Sequence, residues 1–169
     1  HLQCKNNHYM SADITLRKGL TIPMSGIADL NISSADSADN YVVYPSDFHG
    51  VVPKMLLKEG ETVLQGQPIF YSKANPEIKF VSPVSGTLTK IERGAKRRIM
   101  ALSITSDGEH KAVVHKLANL DELCAADVRK HLLESGCWPF IKQRPYDVIA
   151  DPSSTPKAIF ISGFNTAPL

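Results

Sequence analysis

The pattern of apolar and polar residues divides this chain of 169 residues into stretches of different character. Polar and apolar residues alternate from Asp13 to Leu20, which predicts a half-buried strand. Asn31 to Asn40 is small and polar, which predicts an exposed loop. Glycine and proline then separate short β-prone segments, namely YVVYP, VVPKMLL, ETVLQGQPIFY, IKFVSP, GTLTKI and RIMALSI. Strands so short and so regularly interrupted favour a small barrel or sandwich.

After His110 the pattern becomes that of an amphipathic helix. Its apolar positions form one stripe, made of Leu120, Cys124, Val128 and Leu132 and widened by Leu123 and Leu133. Asn119 is the predicted N-cap and Gly136 the predicted left-handed C-cap. We expect a break or bend near Ala126.

A turn-rich connection from Trp138 to Pro156 leads into the continuously apolar segment Lys157–Gly163. This segment predicts a buried strand of a parallel sheet. One helix cannot cover both faces of such a strand, so we expect only the start of an incomplete, Rossmann-like α/β domain here, truncated at the end of the chain.

Composition and charge limit the possible functions. A formal net charge of +2 argues against a nucleic-acid partner. The cysteines, Cys4, Cys124 and Cys137, are odd in number and widely spaced, which argues against a disulfide framework or a metal site. The strongly apolar stretches are far shorter than the roughly 20 residues of a membrane-spanning helix, so we expect membrane association only through partners.

Two segments resemble the core of biotinyl and lipoyl domains: Gly60–Phe70 and Val81–Leu88. In those carriers the acylated lysine precedes the proline of the next strand by eight residues. Counting back from Pro83 gives Asn75, so the attachment residue is missing. Lys73 lies two positions away and is expected to be an ordinary solvated lysine.

Further motifs resemble the A subunit of the sodium-translocating NADH:quinone oxidoreductase. They occur in the family's order along the chain: Arg17–Gly26, Ile91–Ile99, Val128–Trp138, Arg144–Tyr146, Ala158–Ile161 and Asn165–Leu169. The resemblance implies an α+β chain with a biotinyl/lipoyl-like barrel-sandwich module over residues 13–109 and the start of an α/β domain over 110–169. Residues 1–12 are expected to be extraneous or disordered, with Met10 as the natural start.

The same resemblance implies a peripheral protein at the cytoplasmic face of the bacterial inner membrane. Its partners would be the other subunits of a six-subunit pump that couples NADH oxidation and ubiquinone reduction to Na⁺ export. That complex uses NADH, flavins, iron–sulfur centres and ubiquinone. We expect this chain to be mainly structural, with no catalytic residue, no metal site and no cofactor of its own, because it lacks GxGxxG and GxxxxGK[ST] motifs.

Two groups of residues are nevertheless candidates for contacts. A dense basic cluster could meet lipid headgroups, an acidic surface of another subunit or a nucleotide phosphate, against the alternative of a solvated turn. It consists of Arg93, Lys96, Arg97 and Arg98. Trp138, Asn165 and Thr166 are the candidates for cofactor binding, Trp138 because a quinone ring could stack on it, with core packing as the alternative.

Three other interpretations remain open. The chain could be a component similar to the C subunit of the ferredoxin:NAD electron-transport complex. It could be a degenerate biotinyl or lipoyl carrier, which Asn75 opposes. It could also hold its own NADH or quinone site, and quinone pockets leave no sequence signature.

Overall fold

The computed structural model describes residues 36–116 and 122–163, together with residues 15, 17, 31, 32, 34 and 119. The chain divides into two compact units, Asp36–Pro156 and a second one made of His1–Ala35 and Lys157–Leu169. The strands and helices below belong to the first unit. The strand predicted over Asp13–Leu20 lies almost wholly outside the described residues, and residues 1–12 lie entirely outside them.

Two antiparallel sheets form the body of the first unit. The larger sheet has the strand order β1-β7-β6-β3, with β1 at Asn40–Val43, β3 at Thr62–Val63, β6 at Gly86–Arg93 and β7 at Ile99–Ser106. The smaller sheet has the order β2-β4-β5, with β2 at Pro53–Met55, β4 at Pro68–Ser72 and β5 at Lys79–Val81. Each predicted β-prone segment contains a strand, which confirms the sandwich.

The two sheets bury a common apolar core. Phe70 of β4 and Phe80 of β5 stack with their ring centroids 4.5 Å apart, and Phe48 meets Phe80 edge-on at 4.6 Å. The buried core members are Val63, Ile69, Phe70, Ile78, Phe80, Val84, Leu88, Ile99, Leu102, Ile104 and Trp138. They come from both sheets and from the segment after the helix, so the core joins these parts.

Two glycines allow a turn and a close approach between strands that other residues would oppose. Gly66 has φ +80° and splits the predicted segment ETVLQGQPIFY into β3 and β4. Gly86 has φ +155°, and a Cβ placed on it would overlap the carbonyl oxygen of Thr105 in β7. This oxygen belongs to the backbone of the paired strand and cannot move aside. Only glycine therefore fits at position 86.

The helix α1 spans Ala125–Glu134, and its N-cap is Cys124, not Asn119. Cys124 is the N-cap, and the Asp127 carboxylate accepts hydrogen bonds from its backbone N–H at 3.2 Å and its thiol at 2.9 Å. These two bonds to the Asp127 carboxylate fix the start of the helix at Cys124. The predicted first turn at Asn119 forms as a separate turn, in which the Asn119 carbonyl accepts a hydrogen bond from the Glu122 N–H at 3.0 Å. The predicted break lies just before α1, at residues 123–124.

The end of α1 agrees with the sequence. Gly136 has φ +72° and donates its N–H to the carbonyl of Leu133, and the N–H of Cys137 reaches the carbonyl of Leu132 at 3.1 Å. This pair of bonds is the Schellman motif that satisfies the last carbonyls of a helix. Leu132 and Leu133 pack against the core, whereas Val128 is 40% exposed, so α1 docks mainly by its last turn.

The region after α1 differs from the sequence prediction in two ways. The expected irregular connection contains a small hairpin of β8, Lys142–Gln143, and β9, Val148–Ile149. The buried strand predicted over Lys157–Gly163 is wrong, since these residues form no strand and Ile159, Phe160 and Ile161 are 77% to 92% exposed. A strand forms only where a neighbouring strand continues the hydrogen-bonded ladder, so an apolar run by itself does not make one.

Candidate functional site

The hairpin between β4 and β5 carries the position at which carrier domains hold their prosthetic group. Its connection runs over residues 73–78, so Asn75 lies at the tip, as the spacing from Pro83 predicts. The Asn75 side-chain oxygen accepts a hydrogen bond from Glu77 N–H at 3.2 Å, and its backbone carbonyl accepts one from Ile78 N–H at 3.1 Å. The side chain therefore closes the turn instead of extending from it.

Lys73 is the lysine closest to Asn75 in the sequence. Its side chain is exposed, and its backbone N–H donates to the carbonyl of Val52 at 2.8 Å, just before β2. This bond holds Lys73 at the base of the connection. A swinging prosthetic group needs an amine at the apex, which this geometry does not provide.

Trp138 lies at the junction of the segment that follows α1 with the sandwich. Its side chain is part of the core, and the residue is 8% exposed. The indole N–H donates to the carbonyl of Ala150 at 2.7 Å, which ties this junction to the residue after β9. The structure therefore places Trp138 in the core. Stacking of a quinone on it would require a neighbour to move away, and it stays a prediction.

A shallow apolar groove opens beside this junction, with a volume of about 500 Å³. It is lined by Val42, Val43, Tyr44, Asp47, Phe48, Pro83, Pro139, Phe140 and Lys142. Phe140 is 74% exposed and Tyr44 is 48% exposed, and the ring of Phe140 meets that of Phe48 edge-on at 6.3 Å. Sequence patterns missed this groove because its walls come from three separate segments of the chain.

The basic cluster lies at the turn between β6 and β7. All four side chains, those of Arg93, Lys96, Arg97 and Arg98, are exposed. Within the described residues none of them forms an ion pair with a carboxylate, since the three ion pairs there join other residues. The sequence did not indicate that Lys96 and Arg97 would both adopt positive φ angles, of 54° and 59°.

The shifted pKa values of the described carboxylates all have local causes. The Ser85 hydroxyl, at 2.6 Å, and the Glu109 N–H lower the pKa of Asp107. Cys124 lowers that of Asp127, and hydrogen bonds from Ser153 lower that of Asp151. Each of these carboxylates holds a turn or a cap, so their shifted pKa values are explained without chemistry on a substrate.

Other candidates have no site in the described part of the structure. Asn165 and Thr166 lie outside the described residues, so their role stays a prediction. Among the described residues, no three histidine, cysteine or carboxylate side chains converge as metal ligands. No helix that the structure describes has the length and apolarity to cross a bilayer.

Comparison with known proteins shows the family of the chain. The model of the NqrA N-terminal barrel-sandwich hybrid domain matches residues 14–107, and that of the NqrA second alpha/beta domain matches residues 123–169. A protein of Tolumonas auensis, named as the A subunit of a Na(+)-translocating NADH-quinone reductase, is 39% identical over 159 residues. These cover 92% of the chain and 36% of that protein.

Two proteins of the same name are covered to a similar extent. The one from Pseudomonas aeruginosa is 33% identical over 158 residues, with 92% of the chain and 36% of the relative covered. The one from Pasteurella multocida is 34% identical over 158 residues, with 92% and 35% covered. The chain thus spans 35% or 36% of the length of these curated relatives. By its sandwich and by these matches, the chain belongs to the family of NqrA N-terminal barrel-sandwich hybrid domains.

Proposed function

We propose that this chain acts within the A subunit of a Na⁺-translocating NADH:quinone reductase. The observation that carries the proposal is the family match over residues 14–107, together with relatives that all bear this name. The pump is a translocase that couples NADH oxidation and ubiquinone reduction to Na⁺ export. Because the chain spans 36% of its relative from Tolumonas auensis, this activity would belong to the assembled complex.

Within that complex the chain serves as a structural and assembly module. Its sandwich retains the hairpin of a carrier domain, but Asn75 closes the tip by hydrogen bonds, which supports the loss of a carrier role. The buried Trp138, bonded to the carbonyl of Ala150, supports a rigid junction between the sandwich and the segment after α1. Rigid apposition of neighbouring elements is what a scaffold must provide.

The partners and location follow from the same proposal. The partners are the other subunits of a six-subunit complex, and ubiquinone is a possible ligand. The complex supplies the NADH, flavin, iron–sulfur and quinone chemistry, with no cofactor bound by this chain. The chain lies at the cytoplasmic face of the bacterial inner membrane. A role like that of the C subunit in the ferredoxin:NAD complex is not favoured, since the relatives are named as the A subunit of the sodium pump.

A chimaeric protein tests the proposal. The matching region of the Tolumonas auensis relative is replaced by this chain, and inverted membrane vesicles are assayed for NADH-driven Na⁺ uptake. We expect uptake and co-purification of the chimaera with the other subunits. Vesicles that contain the chimaera in normal amounts but lack both uptake and co-purification would refute the proposal.

The Trp138→Phe variant of the chimaera separates a structural from a catalytic role. Loss of the bond to the Ala150 carbonyl should reduce the amount of assembled complex, while turnover per complex stays constant. A fall in turnover with unchanged assembly would instead indicate a site for quinone at Trp138. Labelling by a photoreactive ubiquinone analogue would then be expected on the parent chain and not on the variant.

A further inference from the structure

The turn between β6 and β7 extends past the strands that flank it. These two eight-residue strands are paired with each other over Gly86–Arg93 and Ile99–Ser106. The register shows that β1 pairs only with residues 102–105 and β3 only with residues 86–87. The chain before β3 reaches somewhat farther, since Gly60 and Glu61 exchange backbone hydrogen bonds with Leu88. Neither flanking strand pairs with residues 92–100, so the turn projects as a tip past the paired part of the sheet.

Positive charge is concentrated at this tip. The exposed basic side chains there are Arg93, Lys96, Arg97 and Arg98. The nearby carboxylates are engaged elsewhere: Glu92 pairs with Lys90 at 2.7 Å, and Glu59 accepts a hydrogen bond from the backbone N–H of Ile91 at 2.6 Å. The formal net charge of the whole chain is only +2, so the tip is far more basic than the average surface.

Two backbone hydrogen bonds close the turn that carries these cations. Gly94 N–H donates to the carbonyl of Arg98 at 2.8 Å, and Arg98 N–H donates to the carbonyl of Ala95 at 3.2 Å. Between them, Lys96 and Arg97 have φ angles of 54° and 59°, a region that costs an ordinary residue free energy. Asparagine or glycine would suit such positions better, yet the sequence has long basic residues there, which points to a role for their charge.

An apolar side chain lies next to these charges. Met100 is 46% exposed, and a Cβ placed on Gly94 would lie 3.0 Å from its Cγ, so the methionine side chain lies against the backbone of the tip. A flexible thioether beside several cations suits a boundary between charged groups and hydrocarbon.

We propose that this basic tip, defined by Arg93, Lys96, Arg97 and Arg98, binds the anionic headgroups of a phospholipid surface directly. The proposal goes beyond the assembly role and beyond membrane association through partners alone. A projecting tip with several exposed cations can meet the flat, anionic surface of a bilayer without a matching groove. The tip cations would contact phosphates while Met100 enters the headgroup layer.

Vesicle co-sedimentation tests the proposal with phosphatidylglycerol–phosphatidylcholine vesicles and with vesicles of phosphatidylcholine alone. We expect the chain to sediment with the anionic vesicles at about 0.05 M salt and to be released at about 0.5 M salt, where charges are strongly screened. Lys96→Asn with Arg97→Asn removes two charges and suits positive φ angles. Since each basic residue near an anionic surface contributes about fivefold to partitioning, this variant should bind about 25-fold more weakly.

The matched control is Lys73→Asn with Lys116→Asn. It removes the same charge from exposed lysines of the described residues that have no ion pair, and it should bind as the parent does. Thermal unfolding of the two variants checks that both remain folded. Equal binding of the tip variant and the control, or no binding of the parent to anionic vesicles, would overturn the proposal. The tip substitutions are also placed in the chimaera. If the tip variant binds vesicles normally but the chimaera that carries it no longer co-purifies with the other subunits, the proposal is overturned in favour of an acidic protein partner.

Discussion

A methyl group added at Gly136 should weaken the docking of α1 on the sandwich. Gly136 has φ +72°, and a Cβ there would overlap Cγ1 of Val81 in β5 and lie 3.0 Å from its Cγ2. The Gly136→Ala variant therefore combines an unfavourable backbone conformation with a steric clash. The glycine ends α1, and the clash partner belongs to the smaller sheet, so the damage falls on their junction.

The two costs have known magnitudes. A left-handed conformation costs a residue with a Cβ about 1–2 kcal/mol. Overpacking by one methyl group costs about 1–3 kcal/mol when its neighbours cannot fully yield. Gly136→Ala should therefore lower the free energy of unfolding by about 2–5 kcal/mol, a large share of the roughly 5–15 kcal/mol that is usual for a domain.

Denaturant unfolding followed by tryptophan fluorescence measures this cost. Trp138 is the one tryptophan of the chain and lies two residues beyond Gly136 in the core. Its emission therefore reports the junction directly. In Gly136→Ala we expect a lower unfolding midpoint and an earlier red shift of the emission than in the parent.

Gly60→Ala is the matched control, because Gly60 has φ +87° and a Cβ there would meet nothing within 4 Å. Gly60→Ala should lower the free energy of unfolding only by the cost of the left-handed backbone conformation, about 1–2 kcal/mol. Val81→Ala in the Gly136→Ala background should restore most of the stability that is lost to the steric clash. A double-mutant cycle measures this coupling. If Gly136→Ala lowers the free energy of unfolding no more than Gly60→Ala does, the predicted steric clash with Val81 is refuted.

Three other predictions concern the fold. Gly86→Ala should abolish folding, because its Cβ would overlap the Thr105 carbonyl oxygen; a native circular dichroism spectrum would contradict this. Trp138→Phe should cost about 1–3 kcal/mol in denaturant unfolding, because the Ala150 carbonyl loses its donor; an unchanged midpoint would contradict this. Hydrogen bonds from Cys124 lower the pKa of Asp127 below its ordinary value of 3.8. The stabilisation that this carboxylate gives to the start of α1 is therefore present above pH 3.8 and is lost as the pH falls through the pKa of the folded state. Asp127→Asn should remove that acid-induced loss of helical signal, and identical titrations would refute the assignment.

The hydrophobic pattern was sufficient to predict the sandwich. Alternating and glycine-bounded segments such as GTLTKI became strands because each can bury one face, a property of local sequence. Gly136 likewise ended α1 where predicted, since few residues tolerate its conformation. The start of α1 was missed because the capping pair of Cys124 and Asp127 competed with the more usual cap residue Asn119.

The candidate sites, too, were predicted only in part from the sequence. The spacing from Pro83 located Asn75 at the hairpin tip, and the sequence alone showed that a carrier lysine was absent there. Whether an apolar run becomes a strand depends on neighbours that supply hydrogen bonds, so Lys157–Gly163 could not be assigned from its composition. The sequence determined which segments could form strands and that position 75 holds asparagine where a carrier domain has its lysine. Only the tertiary structure decided the groove at Phe140 and the projection of the basic tip, because both depend on how distant segments pack together.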